Sequence, residues 1–293
     1  MTERCAAACT RRGDPQEGTA PPVSTWLLIE QPRAWGPDPW RDCDLPVEVV
    51  EGLAERVRGT GTRVLLIRRP GRTAADGPLR WAFVDSVAGT SWWSTFTDPA
   101  ALLSAPWRSG VASSEPVYLV CTHGRHDACC AIRGRPVAAA LALSHPSETW
   151  ECSHVGGDRF AANLVALPSG LYFGKVTPES VGEVVSELAA GRLVLEHVRG
   201  RSTVSAPAQA AEFHVRGRVG ERSVSALAPV SVEALGRDRW RVRLAGVAEG
   251  VEVSARFEEA DSPLTCSAGR AGAVRHFRVE PAIFGESAAA AED

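Results

Sequence analysis

A strictly apolar run, VYLV (Val117–Val120), passes directly into CTHGRHDACC (residues 121–130) and then into the helix-forming stretch GRPVAAALALSH. An apolar run of that length bounded by turn residues reads as a buried strand. A core strand that feeds a loop of thiols, imidazoles, Gly and Arg, with a helix behind it, makes a βα unit. In open α/β sheets such loops are where sites are built. A second patch, ECSHVGGDRF (151–160), follows another strand-like segment, TWECSH.

The rest of the chain alternates in the same way up to about residue 200. STWLLIEQP, TRVLLIRRPG, LRWAFVDS and FAANLVALPSGLYFGKV read as strands and turns, with GRTAADGP as a turn between the second and third. PVEVVEGLAERVRG, DPAALLSAPW and TPESVGEVVSELAAGR read as helices, the last opened by Thr177 as an N-cap. Beyond residue 200 one helix is expected in APAQAAEFHVRGRVG. DRWRVRLAG, VEVSARFEE and VRHFRVE then alternate polar and apolar residues as half-buried antiparallel strands do. The predicted organisation is a disordered leader over 1–22, an α/β domain over 23–200 and a β-rich C-terminal region with one helix over 201–293. No internal repeat is evident.

Composition removes several function classes. A net charge of −3 provides no electrostatic footprint for nucleic acid. No apolar stretch approaches the roughly 20 residues a membrane span needs. The N-terminus has no secretory h-region, so a cytoplasmic location is expected, where thiols stay reduced. The eight cysteines are then metal ligands, reactive thiols or small buried residues rather than a disulfide framework.

Four chemistries compete for the two patches. Cys129, Cys130 and Cys152 are candidates for plain core packing. A thioredoxin-type dithiol lacks its C-x-x-C. A cysteine nucleophile with a histidine base leaves no local signature here, and the sequence alone does not remove it. A metal site fits best: Cys121 and Cys130 frame a long C-x₈-C loop, and H-V-G-G-D brings His154 and Asp158 beside two glycines that allow close approach to an inorganic group. The short paired hooks of a structural zinc site are missing. A [2Fe–2S] cluster asks for two ligands on each of two irons, and histidine serves on one iron in Rieske centres.

CTHGRHDACCAIRGRP, WECSHVGGDRFAANLVALPSG and YFGKV, with WLLIEQPRAWG and RGRS more weakly, make the chain resemble the sucrase/ferredoxin-like family of thioredoxin-like [2Fe–2S] ferredoxins. The resemblance implies an α/β, thioredoxin-like ferredoxin domain and an electron carrier that meets a redox partner protein, either a reductase or an acceptor. It also implies cluster ligands in the pattern C-x₈-C followed by H-x-G-G-H. Cys121, Cys130 and His154 match that pattern, and Asp158 occupies the second histidine position. Asp158 is therefore expected to ligate iron and to lower the reduction potential. The alternatives are replacement of the fourth ligand by Cys152, His126 or His123, and a clusterless protein that binds zinc or a partner or senses redox state through its thiols. No paired carboxylates of a glycosidase are recognisable, so the first half of the family label has no support.

Overall fold

The computed structural model describes residues 3–71 and 77–280. Most of the GRTAADGP turn and the last thirteen residues lie outside them. Within the described chain, β1 (Thr25–Glu30), α2 (Val47–Val57) and β2 (Thr62–Arg68) form a parallel β–α–β unit. β3 (Leu79–Asp85) and β4 (Thr90–Phe96) follow as antiparallel neighbours. A 3₁₀ turn at Pro99–Leu103 stands where a short helix was expected. Asp98 caps it by accepting the Ala100 N–H.

The same sequence of elements then recurs. β5 (Val117–Cys121), α3 (Ala128–Ser144) and β6 (Thr149–Cys152) make the second parallel unit. β7 (Leu164–Leu167) and β8 (Leu171–Phe173) add antiparallel strands, and α4 (Val181–Ala189) follows. Strand order is β4-β3-β1-β2-β6-β5-β7-β8-β9, the last strand being Val198–Arg201. In each half the first strand of the unit lies between its parallel partner and an antiparallel hairpin, the arrangement of a thioredoxin-like sheet. The halves meet through antiparallel pairing of equivalent strands, with Ile67 opposite Cys152 and Arg68 opposite Glu151. Only the order and pairing of the elements recur between the halves, a likeness of topology with no counterpart in the residue pattern.

Period-two alternation divides the core between two faces of the sheet. Trp26, Leu28, Leu119, Cys121, Trp150 and Cys152 share one face across both halves. On the other, Leu27 and Ile29 pack with Leu53 of α2, and Tyr118 and Val120 pack with Val137 and Leu141 of α3. Each such fully buried aliphatic side chain contributes about 1.5–3 kcal/mol. Helix α3 lies so close to the end of β5 that a Cβ at Gly134 would collide with the Cys121 carbonyl.

Two outlying regions differ in how well they match expectation. The leader is not structureless: α1 (Cys5–Arg12) buries Cys5, Ala6, Ala8 and Cys9 against the residues that follow His154. After β9, helix α5 (Ala206–Val219) packs on a separate antiparallel sheet. Its strands, in order, are β10 (Pro229–Gly236), β11 (Arg239–Leu244), β12 (Val251–Glu259) and β13 (Ala273–Val279). Among the described residues no helix is long and apolar enough to cross a membrane.

Candidate metal centre

Cys121 is the last residue of β5, and its register partner across the parallel pair is Cys152. The chain leaves the strand, turns where the N–H groups of His126 and Asp127 both reach the His123 carbonyl, and enters α3. Asp127 caps that helix by accepting the Cys129 N–H at 2.7 Å. The cap sets the first turn of α3 and returns Cys130 to the end of β5, next to Cys121. On the neighbouring strand, β6 runs out into His154. Gly156 and Gly157 adopt φ of +94° and +81°, which brings Asp158 into a 3₁₀ turn (Asp158–Phe160) facing the same point. Glycine reaches such φ values without steric penalty.

The four candidate ligands thus converge. The sulfurs of Cys121 and Cys130 and a ring nitrogen of His154 lie within 4.8 Å of one another. Asp158 Oδ1 is 2.9 Å from His154 Nδ1, and the Cys130 thiol donates to it at 3.3 Å. His154 Nδ1 is buried and pairs with that carboxylate. At that separation the imidazole nitrogen and the carboxylate oxygen form a close buried pair, and both are near enough to serve as neighbouring ligands of one centre. The donor set of two thiolates, an imidazole and a carboxylate suits iron or zinc.

Electrostatics among these side chains follow from burial and mutual contact. Burial disfavours the His154 imidazolium, but Asp158 and the Cys121 sulfur outweigh it and push its pKa up to about 9. Burial likewise opposes the charge on Asp158, and His154 holds the carboxyl below its ordinary value nonetheless. Sharing of the Cys130 proton keeps Cys121 well below the ordinary thiol range and drives Cys130 above it. A metal held by these residues would displace the shared proton and the imidazolium proton, since ligands bind deprotonated.

The soft groups considered as replacements for the fourth ligand sit in three different situations. His126 stacks on His154 with ring centroids 3.8 Å apart, and its Nε2 is 3.8 Å from Asp158 Oδ2. His123 is buried, its Nε2 2.7 Å from the Gly36 carbonyl and its ring edge-on to Trp35, so it does not swing toward the site. Cys152 is buried behind Cys121, and desolvation raises its pKa. Arg159 pairs with Asp14 rather than Asp158, and its guanidinium lies over Phe160.

Two arginines hold the H-V-G-G-D loop from outside. Arg63 donates to the carbonyls of His154 and Val155. The fully buried Arg199 donates to the Gly156 carbonyl, Asn163 Oδ1 and the Thr19 hydroxyl and carbonyl. Reading the motifs alone assigns neither arginine a role. The signal for Arg199 is its place in the RGRS segment, downstream of both patches. A cavity of about 640 Å³ at the opposite end of β5, around Pro116, Tyr118 and Pro168, has no thiol, imidazole or carboxylate in its wall. The chemistry therefore concentrates at the thiol end of the strand.

The sucrase/ferredoxin-like family profile matches residues 16–200. The chain belongs to the sucrase/ferredoxin-like family. Among curated relatives, the altered inheritance of mitochondria protein 32 of Candida glabrata is 32% identical over 96 residues, 28% of this chain and 31% of that protein. Its namesake from Eremothecium gossypii is 26% identical over 153 residues, 44% of this chain and 47% of that protein. The chain thus spans less than half the length of these relatives. Two cysteine-to-serine variants of the thioredoxin-like [2Fe–2S] ferredoxin from Aquifex aeolicus overlap 29% of this chain and 97% of their own, at 22% and 23% identity and a TM-score of 0.25.

Proposed function

We propose that this family member is a one-electron carrier in which Cys121 and Cys130 hold one iron of a [2Fe–2S] cluster and His154 and Asp158 hold the other. The observation that carries the reading is the meeting of these side chains from two loops: Cys121, Cys130 and His154 group together, and Asp158 Oδ1 lies 2.9 Å from His154 Nδ1 and 3.3 Å from the Cys130 sulfur. The cluster supplies single-electron redox chemistry. The chain's own residues do the rest. Cys121 and Cys130 sit deepest, while His154 and His126 are partly exposed and mark the side from which an electron enters or leaves. Asp158 brings an anionic oxygen ligand that favours the ferric state, so the potential lies below that of a two-histidine site. Arg63 and Arg199 keep the loop in register and limit its motion between redox states.

The partner is a reductase or acceptor protein that docks over the His126–His154 face, and the setting is cytoplasmic. This carrier needs no substrate pocket of its own.

One observation favours a second reading, a single zinc-class ion. Cys130 and Asp158 are only 3.3 Å apart, the scale of one tetrahedral edge, and two irons require the H-V-G-G-D loop to stand further from α3. Anaerobic purification followed by iron and acid-labile sulfide analysis separates the two. The carrier reading expects a red-brown protein with about two irons and two sulfides per chain. A colourless preparation with zinc bound through Cys121 and Cys130 would overturn it.

A further inference from the structure

Cys129, adjacent to Cys130, points the other way. It meets Cys5 from α1 and Cys266 from the loop between β12 and β13, three thiols from segments far apart in the chain. We propose that Cys5, Cys129 and Cys266, with the carboxylate of Asp127, form a second metal site of the thiolate-rich tetrahedral kind that takes zinc. Its ion would clamp the N-terminal helix and the C-terminal sheet onto the helix that carries Cys130.

The spacing of the donor atoms supports this. Cys129 Sγ and Cys5 Sγ each lie 3.5 Å from Cys266 Sγ, and Cys5 Sγ lies 3.6 and 3.7 Å from the two oxygens of Asp127. All four donor atoms fall within 4.8 Å of one another. A zinc–sulfur bond of about 2.3 Å gives a tetrahedral sulfur–sulfur edge of about 3.8 Å, so the trio is already near its liganded spacing. Asp127 is fixed from two sides: its Oδ1 accepts the Cys129 N–H at 2.7 Å and its Oδ2 accepts the Cys266 N–H at 2.6 Å. Ligating carboxylates are commonly oriented by hydrogen bonds of this kind. Each oxygen keeps a further lone pair, and the carboxylate faces Cys5.

Other accounts of the trio fit less well. Core packing explains Cys5 and Cys129, which are buried, but not Cys266, which is exposed on a surface loop. A disulfide joins only two of the three and leaves the third thiol unexplained. Cys43 and Cys9 show what an unrecruited cysteine looks like here, for neither belongs to any group of convergent ligands among the described residues. The site is independent of the iron reading, since it shares no ligand with Cys121, Cys130, His154 or Asp158.

The test is metal analysis and thiol alkylation on the full chain, comparing wild type with Cys266→Ser and with a Cys121→Ser/Cys130→Ser double variant. Wild type and the double variant should each hold about one zinc that Cys266→Ser lacks, while Cys266→Ser keeps its iron and visible absorbance. Cys5 and Cys129 should resist iodoacetamide in wild type and react after chelation or in Cys266→Ser. Cys266 lies in an exposed loop, so that variant should fold, and an unchanged far-UV spectrum checks it. Equal zinc in wild type and Cys266→Ser would overturn the site, as would a Cys5–Cys266 or Cys129–Cys266 disulfide found by mass in protein kept reduced. Absence of iron from every preparation would instead count against the carrier and leave the zinc comparison standing.

Discussion

His154 Nδ1 stands 2.9 Å from Asp158 Oδ1, four residues further on, and this pairing raises the imidazole's pKa while lowering the carboxyl's. If both are ligands, Asp158→Ala removes one metal contact and weakens metal retention by more than the roughly 10–100-fold that loss of a supporting group costs. Asp158→His restores a nitrogen donor and should retain the metal with a higher and more pH-dependent reduction potential, because a coordinated imidazole keeps a proton to shed. Protein-film voltammetry across pH checks this. A potential and EPR spectrum identical to wild type in Asp158→His would mean that the carboxylate does not coordinate.

His126 is the rival for the fourth position. Its ring covers His154, and its Nε2 lies 3.8 Å from Asp158. With Asp158 as ligand, His126→Ala leaves iron content unchanged and alters only the rate of electron exchange at the partly exposed face. Iron and sulfide assays on that variant decide the point: loss of metal makes His126 a ligand.

Gly157 joins these ligands to the rest of the fold. Its φ is +81°, and a Cβ there would come within 2.5 Å of Arg199 Nη2. Gly157→Ala therefore adds backbone strain of about 1–3 kcal/mol and pushes Arg199 off the Gly156 carbonyl. The expected outcome is a lower denaturation midpoint with an unchanged slope, and faster loss of metal to a chelator. Equal midpoints for Gly157→Ala and wild type would show that the loop has another conformation available.

What could be read in advance tracks how local each signal is. β5, the C-x₈-C loop and α3 were legible because an apolar run, a turn and a helical stretch follow each other without interruption. The convergence of Cys130 with Asp158 was legible only as spacing, and their contact depends on the β5–β6 register. β4 escaped because in TSWWSTF apolar residues do not alternate with polar ones, and only Ser91 and Phe96 are buried. Helix α1 escaped because CAAACTRRG sits in a polar, Pro- and Gly-rich context, and what orders it is burial against Cys129 and Ala161, more than 100 residues away. Cys266 lacks any local cue, since its partners are Cys5 and Cys129.

That same helix has an acid-sensitive fastening. Asp14, buried just after α1, receives both Arg12 Nε and Nη2 at 2.8 Å, and Arg159 Nε lies 3.4 Å away on the turn that carries Asp158. Burial alone would raise its pKa, but Arg12 and Arg159 outweigh it and hold the carboxyl below its ordinary value of 3.8. A carboxyl depressed in the folded state stabilises it fully above the unfolded value, and that contribution fades as pH falls toward the folded pKa. Wild type should thus lose stability progressively below about pH 4, with α1 loosening from the Asp158–Phe160 turn. Asp14→Asn should cost about 1.5–3 kcal/mol at neutral pH, the worth of hydrogen bonds to a charged group, and flatten that acid limb. Denaturant melts of both proteins from pH 7 down to pH 3, with Cys9 alkylation reporting on α1, test the claim. Parallel stability curves for the two proteins would show that the fastening lies elsewhere.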